Sequence, residues 1–104
     1  MVASRARTRK AVDDSDQVRC KSGSYGVIRE EVYVDDYEAV VKYNLAFIHF
    51  GLCQQDNGRA LGYDNAHGHH ERPWMGNAER VGFISYERTL ACFLEEVEER
   101  EENA

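Results

Sequence analysis

The stretch YEAVVKYNLAFIHF at positions 37–50 constrains the fold more than any other part of the chain. Tyr37, Ala39, Val41, Tyr43, Leu45 and Phe47 alternate along it, and a period of two puts them on one face of a strand. The intervening face begins with Glu38, Val40, Lys42 and Asn44. One side is therefore expected to be buried and the other wetter. Just before it, GVIREEVYV (26–34) is rich in β-branched residues and reads as a second strand. A two-residue turn at Asp35-Asp36 would face Val34 with Tyr37, Val32 with Ala39 and Ile28 with Tyr43, all on the apolar side. Glu30 is the exception, a carboxylate opposite Val41 on that same face.

A further turn is expected at Asn57-Gly58, the dipeptide that best tolerates the positive φ of a tight hairpin. With those two residues at the tip, Gly51 faces Asp64 and Leu52 faces Tyr63, which makes Asp64 a diagonal neighbour of His49. RVGFIS (80–85) reads as a fourth short strand. From Ser85, a plausible N-cap, Tyr86, Leu90, Phe93, Leu94 and Val97 recur at helical spacing and form one apolar stripe. The expected fold is α+β: an antiparallel meander of about four strands with a C-terminal helix packed on one face. Residues 25–104 form this single domain. Residues 1–24 carry almost no large apolar side chain and are expected to be a flexible, disordered basic tail.

The net charge of −6 argues against bulk attraction to nucleic acid, but the charge is segregated. RARTRK (5–10) holds four bases and no acid, whereas EEVEEREE (95–102) holds six glutamates and one arginine. The basic arm is either a solvated terminus or a phosphate-contacting arm. The acidic end is either a solvated face or a site for a basic partner. No apolar run reaches the length of a membrane span, and no apolar stretch follows the N-terminal arginines, so neither a membrane segment nor a secretory signal is expected. Cys20, Cys53 and Cys92 are scattered and odd in number, which favours a reducing cytoplasm over a disulfide framework.

The chemistry concentrates in GYDNAHGHHERPWMG (62–76), which holds His67, His69 and His70, three of the four histidines. Three readings are open. As metal ligands, His67 and His69 with Asp64 or His70 match zinc chemistry in residue type, though not in a recognised spacing. As acid/base groups, paired histidines can take a proton from a ribose 2′-hydroxyl and return one to the leaving 5′-oxygen. Arg72, Arg59 or Arg29 would then meet the phosphate, and Tyr63 and Trp74 would stack unpaired bases. As a plain connection, the segment joins two strands, with Pro73 ending one element and Trp74 anchoring it. His49 enters the candidate site only through its expected place beside Asp64. On its own it is a core or rim residue.

The combination of EEVYVDD, an apolar strand, GRALGYDNAHGHHERPW and SYERTLACFLEEVEE resembles the TumE-like toxins of prokaryotic toxin–antitoxin systems. The likeness covers roughly residues 24–100, with Tyr63, Asp64, Asn65, His67, Gly68, His69 and His70 its most distinctive part. It implies a small cytoplasmic toxin encoded beside a helix-turn-helix antitoxin. The chain departs from the expected pattern at Glu71-Arg72-Pro73, where further basic or histidine character would be expected. The combined expectation is a ribonuclease that works on RNA without a metal cofactor. His67, His69 and His70 would serve as acid and base, Asp64 or Asn65 would orient one of them, and His49 would lie nearby. The alternatives are a non-catalytic nucleic-acid-binding or partner-binding protein, and a His/Asp zinc protein. Edge strands of so small a meander can also pair two copies into a homodimer.

Overall fold

A computed structural model describes residues 7–103. Six strands run in chain order through one antiparallel sheet: β1 (Arg9–Arg19), β2 (Tyr25–Val34), β3 (Val40–Ile48), β4 (Arg59–Asp64), β5 (Glu71–Trp74) and β6 (Asn77–Arg80). Helix α1 (Tyr86–Asn103) follows and packs across β3 and β4. The α+β class and the C-terminal helix match the sequence reading, but six strands replace the expected four. No helix among the described residues is long and apolar enough to cross a membrane.

Three of the six, β1, β5 and β6, were not expected. Residues 9–19, expected to be tail, form β1, whereas residues 1–6 of that segment lie outside the described residues. β1 escapes an apolar-pattern reading because only Val12 and Val18 turn toward the core. Its pairing with β2 is carried by the backbone ladder and by ions, with Lys10 on Glu31 and Arg29 on Asp13. A charged edge of this kind also discourages pairing with other chains. The expected strand at 80–85 is absent: a β5–β6 hairpin precedes it, and residues 81–84 run irregularly into the helix.

The face assignments of β2, and of β3 from Lys42 onward, hold even though their turn does not; a bulge opposite Val34 turns Val40, expected on the wetter face, toward the core and leaves Val41, expected on the apolar face, exposed. Val32 pairs with Tyr43, Ile28 with Phe47 and Glu30 with Leu45. That register lies four residues from the expected one, and an even slip leaves every side chain on its face. The cause is Asp35, whose carboxylate accepts the amides of Tyr37 and Ala39 and holds open a longer loop. As a result Tyr37 is solvent-exposed and β3 starts only at Val40. Between β3 and β4 the error is larger. Asn57 and Gly58 do adopt positive φ, but inside a single 3-10 turn (Asp56–Gly58) that enters β4. The amide of His49 closes on the Gly58 carbonyl, so residues 50–57 form the loop. Asp64 consequently pairs with Asn44, and Leu45 with Tyr63. Asp64 is not a neighbour of His49.

The core lies between α1 and one sheet face, centred on Tyr43, Leu45, Phe47, Leu61, Phe93 and Val97. Burial of each such side chain stabilises the fold by about 1.5–3 kcal/mol. Ser85 caps the helix, its hydroxyl accepting the Arg88 amide at 3.1 Å. Thr89 joins the buried helix residues, while Leu94, expected in the stripe, is 45 % exposed. Glu30 is accommodated on the apolar face by the Tyr86 hydroxyl, which donates to it. Only one face of the sheet is covered by the helix. The other stays open and carries the charged and small side chains of the central strands.

Candidate functional site

The open face contains a cleft of about 400 Å3. Arg29 from β2, Lys42, Asn44 and Ala46 from β3, Asp56 and Asn57 from the following turn, and Arg59, Asp64 and His67 from β4 and its loop line it. Its depth comes from small residues in the pleat: Ala46 pairs with Gly62, whose missing side chain leaves room for the Arg59 stem. A Cβ on Gly62 would lie 2.4 Å from the Leu45 carbonyl oxygen, so no other residue fits without moving β3.

The loop after β4 is built residue by residue from the distinctive segment. Asp64 is buried, with Oδ1 accepting the Ala66 amide at 3.1 Å and Oδ2 accepting the Arg59 guanidinium at 2.9 Å. Asn65 extends the ladder with its side chain: Oδ1 accepts the Tyr43 amide at 3.0 Å and Nδ2 donates to the Val41 carbonyl at 3.1 Å. Gly68 takes φ +82° and turns the chain back. These residues shape the loop, and what they present at the cleft is His67. His67 is exposed and has no hydrogen-bond or ion-pair partner among the described residues.

The other two histidines of the loop face elsewhere. His69 pairs through Nε2 with Glu71 at 3.1 Å. His70 turns toward the helix side, with Nδ1 2.8 Å from the Tyr43 hydroxyl and its ring stacked 3.8 Å from Phe83. Burial, and secondarily the charge of His69, hold its imidazole below the ordinary range, so it is neutral at pH 7. Tyr43 is pushed up to about 12 by burial and by the charge of Asp64. This pair is a packing contact carrying one hydrogen bond.

His49 sits at the far end of β3. Its Nδ1 accepts the Leu52 amide at 3.2 Å, which leaves Nε2–H to donate to the Ser24 hydroxyl at 2.9 Å. It ties the β1–β2 turn to the β3–β4 loop, apart from the other histidines. Tyr63, expected as a stacking surface, is buried under the helix and donates its hydroxyl to Glu96. Arg72 donates Nε–H to that same carboxylate at 2.8 Å. Trp74 lies between the guanidinium groups of Arg72 and Arg100, at 4.8 and 4.0 Å from the ring centre. Tyr63, Arg72 and Trp74 thus belong to the helix–sheet joint. Of the expected phosphate-binding arginines, Arg29 and Arg59 do reach the cleft. Both are engaged there, Arg29 with Ser15, Asp13 and Glu31, and Arg59 with Asp56, Asn44 and Asp64.

The residue that sequence reasoning passed over is Lys42. It is exposed, lines the cleft and has no carboxylate partner among the described residues, its contact being the Tyr33 ring. Its place on the wetter face of 37–50 was the available signal. No three His, Cys, Asp or Glu side chains of the described residues gather as a metal donor set. Asp64, His69 and His70 instead engage Arg59, Glu71 and Tyr43. Comparison with protein-family models, with curated proteins and with solved structures found no match to this chain.

Proposed function

We propose that this chain is a toxin-type protein that acts on RNA, and that the cleft on the open sheet face receives the scissile phosphate. The observation that carries the reading is that His67 and Lys42 line one cleft and that neither has an ion-pair partner among the described residues. An imidazole with no partner can serve as a base, and an ammonium without a carboxylate is available to an anion. In the proposed step, His67 takes the proton of a ribose 2′-hydroxyl. The 2′-oxygen attacks the adjacent phosphorus, and Lys42 balances the charge gathering on the phosphoryl oxygens. The bond to the 5′-oxygen breaks and that oxygen takes a proton from water, the hydroxide so formed taking the proton held by His67, which leaves a 2′,3′-cyclic phosphate, a 5′-hydroxyl and the free imidazole. No metal enters this step. The resemblance to TumE-like toxins supports a prokaryotic setting in which a helix-turn-helix antitoxin restrains the activity.

Incubating the purified protein with RNA in the presence of a chelator tests this. Cyclic-phosphate ends that vanish in His67→Ala support the reading, and intact RNA at high enzyme concentration counts against it. A second reading, RNA binding without cleavage, is favoured by one observation: His69 and His70 are engaged, which leaves a single free imidazole in the loop. Salt-sensitive RNA binding with no cleavage product would select it.

A further inference from the structure

Beside the cleft, the open face carries a cluster that shares only Lys42 with the cleavage step. Tyr33 of β2 pairs with Lys10 of β1 on one side and Lys42 of β3 on the other. The two ammonium groups lie 5.6 and 5.4 Å from the centre of its ring. Tyr33 is half-buried, so the ring is anchored in the sheet while part of it meets solvent. Cross-strand pairing puts all three side chains on the face that holds the cleft, and Lys42 belongs to both.

We propose that Tyr33, Lys10 and Lys42 form a platform that selects single-stranded RNA and leads it into the cleft. This rests on the reading of RNA as the substrate. An aromatic ring between two ammonium groups reproduces the alternation of a nucleotide strand: phosphate, base, phosphate. A base stacks on the ring in place of an ammonium, and the displaced ammonium moves to the neighbouring phosphate. A base inside a duplex already has both faces stacked and cannot reach a ring standing on a sheet, so the platform discriminates by strandedness. The two lysines contribute unequally. Lys10 is already held by Glu31 at 3.0 Å and Asp13 at 3.2 Å, whereas Lys42 has no carboxylate partner among the described residues. Residues two apart on β3 are about 7 Å from each other, so a base on Tyr33 puts the adjoining nucleotide over Asn44 at the cleft.

The test is fluorescence anisotropy with a labelled 2′-O-methyl oligoribonucleotide of about twelve residues, a length within the usual range for single-strand binders. The methyl group blocks cleavage, so binding is read separately from chemistry. The single strand is expected to bind about tenfold more tightly than the same sequence in a duplex. Tyr33→Leu, which keeps an apolar side chain in the sheet, should weaken single-strand binding about tenfold, and Tyr33→Trp should retain it. Lys42→Gln should lower the slope of log affinity against log salt by about 0.7, more than Lys10→Gln does. Equal affinity for single strand and duplex, or a folded Tyr33→Leu protein that binds like the parent, overturns the platform while leaving RNA as substrate. Failure of the parent protein to bind either RNA overturns both.

Discussion

Replacing Glu96 by alanine should destabilise the fold by about 2–4 kcal/mol, far more than its place in a run of glutamates suggests. Glu96 is the hinge of the helix–sheet joint: one carboxylate oxygen accepts the Tyr63 hydroxyl and the other accepts Arg72. Tyr63 is only 9 % exposed, so without Glu96 its hydroxyl loses its acceptor in a desolvated place, at about 1–3 kcal/mol. Arg72 keeps Glu79 at 3.5 Å and reaches solvent, so its loss is about 1 kcal/mol. Glu96→Gln keeps an acceptor for Tyr63 and should cost about 1 kcal/mol. Tyr63→Phe in the alanine background removes the orphaned hydroxyl, so the double variant should be more stable than the sum of its parts by about 1–2 kcal/mol. Urea unfolding followed by Trp74, the one tryptophan and a neighbour of Arg72, reads all of these. A cost below about 0.5 kcal/mol for Glu96→Ala at unchanged m-value would refute the assignment.

The His70 ring should make stability fall in mild acid. The unfolded imidazole protonates near pH 6.5 and the buried one lower, so the unfolded state binds more protons between those values. The contribution is full above about pH 6.5 and declines as pH drops toward the folded value; His70→Gln should flatten the urea midpoint over that window, and an unchanged slope would contradict the burial argument. Asn65→Ala should cost about 1–2 kcal/mol and speed hydrogen exchange at the Tyr43 amide, which loses its acceptor. Gly62→Ala should cost at least about 1–3 kcal/mol, because its Cβ meets the Leu45 carbonyl; a wild-type midpoint would mean that β3 and β4 lie farther apart.

Side-chain periodicity was legible, and long-range register was not. Alternation at Tyr43, Leu45 and Phe47 reports burial directly, so the face of β3 and the need for a covering helix could be read from the residues. Ser85 and the Tyr86, Leu90, Phe93 and Val97 stripe likewise report local geometry. The turns failed because contacts that alternation does not encode decide them: the Asp35 carboxylate caps its own loop, and the backbone closure of His49 on Gly58 leaves Asn57-Gly58 at the entrance to β4. An odd register error at β4 moved Asp64 to the wrong partner and brought His49 falsely into the site. β1 was illegible because its ladder partners, not its own apolar content, hold it. Within the histidine segment Asp64 and Asn65 shape the loop, His69 and His70 are engaged by Glu71 and Tyr43, and His67 is the imidazole left exposed at the cleft.

The most direct test compares RNA cleavage by the parent protein, His67→Ala, Lys42→Ala and His69→Gln under chelating conditions. The parent should yield 2′,3′-cyclic-phosphate products. His67→Ala should lose about 10²–10⁴-fold, Lys42→Ala less, and His69→Gln should keep near-parent rates. Undiminished cleavage by a folded His67→Ala protein would rule out His67 as the base.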